Sequence, residues 1–447
     1  MKSPRHVALD ILIRVETKNR HPDDLLTDAF RRHRSLTDRD RAFITELVYG
    51  TLRWRGKIDW VIARFSKVKN ERMEKVIFHI LRLGVYQLLF LTKIPHRATV
   101  NESVILTRKM KNREAAGFVN AVLRQIIREG GETGLPQVEG APQEVLAVEQ
   151  AFPLWAVTRL WDRWGENETR AFCQASNRPA PLSLRANTLK TDRGKLLERL
   201  KNQGLSVLPT SYSPDGLVLE EAPPISRMPL LKSGYYQIQD EAAQLIAYLV
   251  NPQPGERVLD ACAAPGAKTT HLAQLMANEG KIYALDIDAA RLRLIRESCR
   301  RMGMNNVTML RRDVTQPVIL PEQEGFDAIL MDVPCTGWGT IRRNPDIKWR
   351  TKCEDVVRLA SLQRRILENL ANLLKKGGRM VYSTCTVFEE ENEELVEGFL
   401  KGRRDFSLDR GGLSFIDDAL FDARDFFRTL PHHHATDGFF AARLVRS

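Results

Sequence analysis

The feature that most limits how this chain can fold is an alternation of short apolar runs and helical patterns in its second half. Five runs indicate strands, at 257–260, 282–285, 307–310, 328–331 and 380–382, and one more lies at 438–445. Helical patterns fall between most of them, at 268–277, 288–303 and 355–375. Strands that alternate with helices form parallel sheets with both faces covered. The pattern therefore predicts a doubly wound α/β domain.

The first of these strands leads into a turn built of small residues. The stretch Asp260–Thr270 reads Asp-Ala-Cys-Ala-Ala-Pro-Gly-Ala-Lys-Thr-Thr, and a helical pattern begins near Lys268. Small residues let a backbone approach a cofactor closely, and the N-terminus of a helix offers free N–H groups. The turn has neither the Gly-x-Gly-x-x-Gly of dinucleotide binders nor the Gly-Lys-Ser/Thr of P-loops. Taken alone, it fits a nucleotide site or an ordinary turn between strand and helix.

Carboxylates recur where the predicted strands end, at Asp260, Asp286, Asp313 and Asp332. Ligands of open α/β sheets bind outside the carboxyl ends of the strands. A carboxylate about 20 residues beyond the turn, as at Asp286, suits a ribose hydroxyl, and Asp313 could reach an adenine amine. One such Asp is commonly a helix cap. Four in register favour S-adenosylmethionine, which needs ribose and adenine contacts but no pyrophosphate cradle.

Two of the six cysteines follow strands at this same predicted edge. Cys335 comes after Asp332-Val-Pro, and Cys385 comes after Tyr382-Ser-Thr. Thiolates need little activation near neutral pH, so two thiols beside a cofactor site indicate covalent chemistry. Cys173, Cys299 and Cys353 are expected to be buried structural thiols. Cys-x-x-Cys pairs and zinc-finger spacings are absent from the sequence, and we expect no metal site, even at 432–434, and no disulfide framework.

Residues 1–130 show helical patterns throughout and carry the excess positive charge. They contain 27 Lys and Arg against 14 Asp and Glu, whereas the whole chain has a net charge of +12. Basic charge confined to one domain is typical of a surface that binds nucleic acid, although a merely solvated basic surface is the alternative. An all-α bundle is the simplest fold for this region.

The remaining organisation follows from breaks in composition. A Gly-, Pro- and Glu-rich stretch predicts a linker at 131–150, followed by a small α/β module at 151–233 and the catalytic domain at 234–447. No apolar run approaches the roughly 20 residues of a membrane span, and the N-terminus lacks the apolar core of a signal peptide. We therefore expect a cytoplasmic protein, and we expect a monomer.

Two sets of motifs resemble known families. Three stretches resemble the NusB-like RNA-binding domain: 47–55, 81–90 and 116–124. Five more, in order, resemble the Sun/Fmu family of ribosomal RNA cytosine-5 methyltransferases, which such a domain can head: 260–270, 332–335, 344–349, 383–385 and 437–440. The resemblance covers nearly the whole chain. It implies an RNA-docking helical domain, a small module that helps to hold RNA, and a Rossmann-like S-adenosylmethionine-dependent methyltransferase domain that acts on ribosomal RNA.

The resemblance also implies a covalent mechanism. Cys385 would add to carbon 6 of cytosine, which makes carbon 5 nucleophilic, and Cys335 would help to remove the carbon 5 proton afterwards. Asp332 would hydrogen-bond N3 of the base, and Lys268 would lie near both cofactor and base. The implied cofactor-binding residues are Cys262, Ala263, Ala264, Pro265, Gly266, Ala267, Lys268, Asp286, Asp313 and Asp332.

The chain departs from the family pattern at two points. The family has Pro-Gly-Gly-Lys where this chain has Ala267, and Asp-Ala-Pro-Cys-Ser where it has Val333 and Thr336. A positive φ would strain Ala267, whereas an ordinary φ would leave it harmless. Neither change removes a reactive group.

Two other functions stay open at this point. The same chemistry could act on another RNA, such as transfer RNA, and a chain that keeps this fold could be a non-catalytic RNA-binding assembly factor. A factor without chemistry has no need of two thiols, so Cys335 and Cys385 argue against the second. The target base is expected in a loop or flipped out of its stack.

Overall fold

The structure is a computed structural model that describes residues 3–110, 114–132, 134–221, 223, 228–320, 325–411, 413 and 415–447. Its backbone divides into two compact units. One comprises 1–177 and 344–351, and the other comprises 178–343 and 352–447. Among the helices in the described ranges, none is both long enough and apolar enough to cross a membrane.

The regular elements described for residues 3–177 are all helical, as their periodicity predicts. The α-helices are α1 (Pro4–Lys18), α2 (Pro22–Arg32), α3 (Asp38–Arg53), α4 (Arg55–Phe65), α5 (Lys75–Phe90), α6 (His96–Lys109), α7 (Ala115–Glu132), α8 (Pro142–Glu149) and α9 (Leu154–Ser176). Helix α5 is the centre of the bundle, since it packs against α1, α3, α4, α6 and α7 and is buried along most of its length. Thr37 begins α3 through a capping box with Asp40, which satisfies N–H groups of the first turn.

The stretch predicted as a linker, 131–150, contains a helix. Residues 142–149 form α8, whose Leu146 and Ala147 are buried. Pro142 stands in the first turn of α8, where the backbone N–H that proline lacks would have no partner within the helix. A stretch rich in proline can therefore begin a helix as well as break one. Helix α9, predicted as the start of the small module, belongs to the first compact unit. The domain boundaries at 130, 150 and 233 stay a prediction.

The second unit begins with a small antiparallel sheet. Its elements are β1 (Leu182–Ala186), α10 (Arg193–Asn202), β2 (Val207–Pro209), β3 (Gly216–Leu219), α11 (Pro229–Lys232) and β4 (Tyr236–Ile238), and the strand order is β2-β3-β1-β4. The strands and helices of this region agree with the small α/β module predicted here. Strands β2 and β4 have three residues each, which are too few to show an alternation in the sequence.

The larger sheet follows. Its elements are α12 (Glu241–Val250), β5 (Arg257–Ala261), α13 (Ala267–Leu275), β6 (Lys281–Asp286), α14 (Ala289–Met302), β7 (Val307–Arg311), β8 (Phe326–Asp332), α15 (Ile347–Arg350), α16 (Cys353–Ala371), β9 (Leu374–Thr384), α17 (Glu393–Gly402), β10 (Phe406–Leu408), β11 (Phe427–Thr429), α18 (Pro431–His434) and β12 (Phe439–Arg446). The order is β10-β12-β9-β8-β5-β6-β7, with β11 paired to β12. Val258 and Leu259 contribute to separate hydrophobic cores, because neighbouring residues of a strand point to opposite faces.

The sheet is mixed rather than wholly parallel. Strands β5 to β9 pair in parallel, whereas the predicted last strand, β12, pairs antiparallel with β9 and with β10. The prediction of parallel strands is therefore wrong for this edge, since apolar periodicity reports burial and carries no information on direction. The order reverses at β5, and the carboxyl ends of β5, β6, β8 and β9 meet at one edge, where open sheets bind ligands.

The motif at 344–349 belongs to the helical unit. Lys348 is 1% exposed, and its Nζ donates to the Arg53 carbonyl at 2.7 Å and to Asn177 Oδ1 at 3.0 Å. Trp349 Nε1 donates to the Leu52 carbonyl at 2.5 Å. Burial holds the pKa of Lys348 well below its ordinary value. This motif therefore anchors its segment on α3.

Candidate active site

The turn after β5 is shaped by two residues with positive φ. Gly266 has φ 98° and precedes α13, and Cys262 has φ 60°. The positive φ favours glycine at 266, and a Cβ there would also lie 3.0 Å from the backbone of Ile295, which is a tight contact. Ala267 begins α13 with helical backbone, so its departure from the family pattern is harmless. The Ala267 carbonyl accepts a hydrogen bond from the buried guanidinium of Arg185 at 2.8 Å.

A cavity of about 500 Å³ opens at the carboxyl edge of the sheet. Seven of the predicted site residues line it: Cys262, Ala264, Asp286, Asp313, Asp332, Cys335 and Cys385. The other predicted turn residues, Ala263, Pro265, Gly266, Ala267 and Lys268, are not in its wall. The sequence thus predicted seven of the sixteen residues in the wall, and Lys268 reaches the site through its contact with Asp332.

Asp286 is held firmly at the end of β6. Its side chain is almost fully buried and accepts from the N–H groups of Ala264 at 3.3 Å and Asp288 at 2.9 Å. Arg291 lies 3.6 Å from this carboxylate and donates to the Ala264 carbonyl at 2.8 Å. Asp313 accepts from the hydroxyl and the N–H of Thr315, in an exposed position. One carboxylate is therefore fixed in orientation, and the other faces solvent.

Asp260 is not part of the cavity. It is fully buried and accepts a hydrogen bond from the Thr269 hydroxyl at 2.6 Å. Burial raises the pKa of Asp260 to about 7, partly offset by that hydrogen bond. The expectation of four ligand-facing carboxylates is therefore wrong for Asp260, which instead ties β5 to the first turn of α13.

Lys268 and Asp332 form an ion pair at the cavity. Lys268 Nζ donates to Asp332 Oδ2 at 2.7 Å, and Ser383 Oγ donates to Asp332 Oδ1 at 3.0 Å. Burial by itself would lower the pKa of Lys268, but the attraction of Asp332 outweighs burial and the pKa is raised. The lysine is therefore a cation, and the two donors fix both oxygens of Asp332.

The two thiols lie side by side. The distance between Cys335 Sγ and Cys385 Sγ is 3.4 Å, and the Cys385 N–H points at Cys335 Sγ at 3.4 Å. The hydrogen bond with Cys385, followed by burial, raises the pKa of the Cys335 thiol well above its ordinary value. Cys335 therefore keeps its proton at neutral pH.

The remaining cysteines are only partly as predicted. Cys173 and Cys299 are buried, whereas Cys353 is exposed at the start of α16, so its expected structural burial is wrong. Burial raises the pKa of Cys262 to about 12, so this thiol in the cofactor turn stays neutral.

Several residues of the wall were missed by sequence reasoning. Ile287, Arg291 and Arg312 line the cavity near the carboxylates, and Leu362 and Ile366 line it from α16. Ile287 is 58% exposed, which is unusual for a large apolar side chain. Its place in the loop directly after β6 was the available signal, because ligands of open α/β sheets bind outside the carboxyl ends of the strands.

The fold and the site together define an S-adenosylmethionine-dependent RNA methyltransferase: a doubly wound sheet, a carboxylate-lined cavity at its switch point, and a helical head. Three family descriptions match: "16S rRNA methyltransferase RsmB/F" at 247–445, "NusB family" at 2–128, and "Methyltr_RsmF/B-like, ferredoxin-like domain" at 152–226. The chain belongs to the RsmB/F family of 16S rRNA methyltransferases. The resemblance and the fold class predicted from the sequence are thereby confirmed.

Similar proteins agree over the full length. The probable ribosomal RNA small subunit methyltransferase B of Bacillus subtilis (strain 168) is 37% identical over 99% of this chain and 98% of its own. The protein of the same description from Synechocystis sp. is 35% identical over 100% of both chains. Among solved structures, the crystal structure of PH0851 has a TM-score of 0.84 at 29% identity, covering 100% of this chain and 99% of that one. NSun6 from Pyrococcus horikoshii, solved with SFG, shares the fold over 66% of this chain and 99% of its own, with a TM-score of 0.59 at 24% identity.

Proposed function

We propose that this enzyme methylates carbon 5 of a cytosine in small-subunit ribosomal RNA through a covalent adduct between Cys385 and carbon 6. The observation that carries the proposal is the thiol pair, with sulfur atoms 3.4 Å apart in the wall of the same cavity as Asp332. A methyltransferase acting on a nucleophilic nitrogen or oxygen needs no thiol nucleophile, whereas carbon 5 of cytosine must first be activated.

The wall of the cavity fits S-adenosylmethionine. Its volume of about 500 Å³ is in the range of small-molecule sites. The buried carboxylate of Asp286 would hold the ribose hydroxyls, the exposed Ile287 would pack on the adenine, and Asp313 would accept from the adenine amine. Support also comes from NSun6, which was solved with SFG, an analogue of S-adenosylmethionine. The bound cofactor would supply an electrophilic methyl group.

The residues of the chain divide the remaining chemistry. The Cys385 thiolate adds to carbon 6 while N3 of the base takes up a proton from solvent, and the Asp332 carboxylate, held by Lys268 and Ser383, accepts a hydrogen bond from that N3–H. The hydrogen bond with Cys385 is the first cause of the raised pKa of Cys335. A thioether accepts a hydrogen bond less well, so Cys335 gives its proton to solvent more readily once Cys385 is bonded to carbon. Cys335 then accepts the proton of carbon 5, after which Cys385 leaves as a thiolate and N3 returns its proton to solvent.

Two cysteine substitutions test the assignment. Bisulfite mapping of ribosomal RNA from cells that carry Cys385→Ala should show loss of methylation, because no adduct can form. Cys335→Ala should instead accumulate a covalent protein–RNA adduct, visible as a shifted band in a denaturing gel. Cys353→Ala, at an exposed thiol of α16, is the control and should methylate normally. An active Cys385→Ala protein, or methylation found only in transfer RNA, would overturn the assignment of nucleophile or substrate.

For the helical domain we propose an RNA contact in the groove between α6 and α7. The groove encloses about 1330 Å³ and is lined by His96, Arg97, Asn101, Asn120, Arg124 and Arg128, with apolar side chains beneath. Arginine forks bind phosphates in two-point contacts, and amides can hydrogen-bond base edges. The net charge of +13 over residues 1–130 supports a polyanion as the partner.

Charge reversal tests this groove. Glutamate at 97, 124 and 128 should weaken RNA binding and lower the slope of log K against log salt by about 2, at roughly 0.7 per lost phosphate contact. The matched control is glutamate at 64, 67 and 69, three exposed cations outside the groove. Equal weakening by both triple variants would refute a specific role for the groove and leave only the overall charge.

A further inference from the structure

A buried carboxylate that the proposed chemistry does not use lies behind the two thiols. Glu391 has no exposed surface. Its Oε1 accepts from the Thr336 N–H at 2.9 Å and from Gln363 Nε2 at 2.9 Å, and its Oε2 accepts from Thr336 Oγ1 at 2.5 Å. All three donors are neutral, so the carboxylate is held by directed hydrogen bonds. Such a group costs free energy to bury, so its presence at this place calls for a reason.

The hydrogen bonds of Glu391 reach both loops that carry a thiol. Thr336 follows Cys335, and its Oγ1 lies 2.6 Å from Oγ1 of Thr386, which follows Cys385. The Thr386 hydroxyl also hydrogen-bonds the Glu391 side chain and helps to lower its pKa against the effect of burial. One carboxylate therefore holds a hydroxyl from each of the two loops.

The next residue completes the attachment on the Cys385 side. Asn392 Oδ1 accepts from Thr384 Oγ1 at 2.5 Å, and Asn392 Nδ2 donates to the Thr386 carbonyl at 3.1 Å. Asn392 is also fully buried. The residues on both sides of Cys385 are thus bound to one short turn that begins at Glu389.

We infer that Glu391 is a positioning residue for the thiol pair: its carboxylate holds the Thr336–Thr386 link and thereby the approach of Cys335 to Cys385. The inference rests on the proposed function only for the role of the thiols, because the distance between them can be measured without catalysis. A carboxylate suits this task since each oxygen can accept from more than one donor in a fixed direction, whereas an amide offers one such oxygen. A displacement of about 1 Å in a reacting group can cost about 100-fold in rate.

The test uses the full-length enzyme and two readouts. One is the rate at which diamide oxidises Cys335 and Cys385 to a disulfide, followed by mass spectrometry of the linked peptide. The other is kcat for RNA methylation together with the KM for S-adenosylmethionine. Glu391→Ala should slow the cross-link about ten-fold and lower kcat by about ten-fold or more, with KM for the cofactor within about two-fold. The KM is expected to hold because Glu391 is not in the wall of the cavity.

Matched variants separate positioning from stability. Glu393→Ala removes another buried carboxylate of the same segment, one that pairs with Arg428 at 2.9 Å and with Arg424 at 3.5 Å. It should lower the melting temperature while the cross-linking rate and kcat stay within about two-fold. Glu391→Gln, which keeps one acceptor oxygen, should recover much of both.

Thr336→Val keeps the shape of the side chain and removes only the shared hydroxyl, so it serves if Glu391→Ala does not fold. It should slow the cross-link by about three-fold or more. Unchanged cross-linking in a folded Glu391 or Thr336 variant would overturn the inference. So would Glu393→Ala slowing the cross-link as much as Glu391→Ala. Normal cross-linking geometry with no methylation of ribosomal RNA by the native enzyme would contradict the proposed function instead.

Discussion

Asp260 gives a quantitative prediction about how the cofactor turn is held. Burial raises the pKa of Asp260 to about 7, against an ordinary value of 3.8. The difference of about 3 units corresponds to about 4 kcal/mol of linkage free energy. The folded state binds this proton more tightly than the unfolded state, so the contribution is fully present below about pH 4. It is lost as the pH rises from there to about 7.

The perturbation is Asp260→Asn, which removes the titration but keeps an oxygen to accept from Thr269 Oγ1. Urea unfolding of both proteins, followed by circular dichroism, should be run between pH 5 and pH 8. Over that range the native protein should lose about 2.5 kcal/mol relative to the variant. Subtracting the two curves cancels the groups that titrate equally in both.

A companion variant fixes the direction of the effect. The hydrogen bond from Thr269 lowers the pKa of Asp260 relative to burial alone, so Thr269→Val should shift the pH window upward. A difference between native protein and Asp260→Asn that stays constant within about 0.5 kcal/mol from pH 5 to pH 8 would refute the reasoning. A constant difference would mean that the pKa of Asp260 is the same in the folded and the unfolded protein.

Three further predictions concern the catalytic edge. Lys268→Met should lower kcat about 100-fold in single-turnover measurements, because Asp332 loses its cation. Calorimetry should show little change in the affinity for the cofactor, and a kcat equal to that of the native enzyme would contradict the prediction. Ile287→Ser should weaken S-adenosylmethionine binding about ten-fold, whereas Ile319→Ser, 80% exposed outside the cavity, should not. Gly339→Ala would place its Cβ 2.6 Å from the Gly438 carbonyl carbon, and it should lower the free energy of unfolding in urea by about 2 kcal/mol or more. The variant should also lose methylation, because the Gly339 N–H donates to the Cys385 carbonyl at 2.9 Å. A stable, active Gly339→Ala protein would show that this backbone contact can relax.

The fold was predictable where a local pattern reports burial. The strands β5 to β9 and the helices between them follow from apolar runs bounded by turns, and the central helix α5 follows from its length and apolar character. The direction of β12 was not predictable, because an antiparallel strand and a parallel one leave the same alternation in the sequence. Helix α8 was hidden by a composition rich in proline and glycine at its edge.

The site was predictable where chemistry is tied to a strand end. Asp286, Asp313, Asp332, Cys335 and Cys385 were placed at one sheet edge, and all line one cavity. Asp260 met the same criterion yet is not in the wall, because its side chain is fully buried and bonded to the Thr269 hydroxyl. The roles of the predicted catalytic residues stay a prediction until the substitutions above are made.

The sequence by itself determined the order of domains, the alternating sheet, the thiols and carboxylates at its edge, and the family. These depend on residues close together along the chain. The tertiary structure alone decided that Ala267 is helical and unstrained and that Lys268 pairs with Asp332. It also decided that Glu391 binds Thr336, which lies 55 positions earlier in the chain and follows Cys335. Such contacts depend on the register between distant strands, and the free energy that sets this register comes from the packed core and not from any local segment.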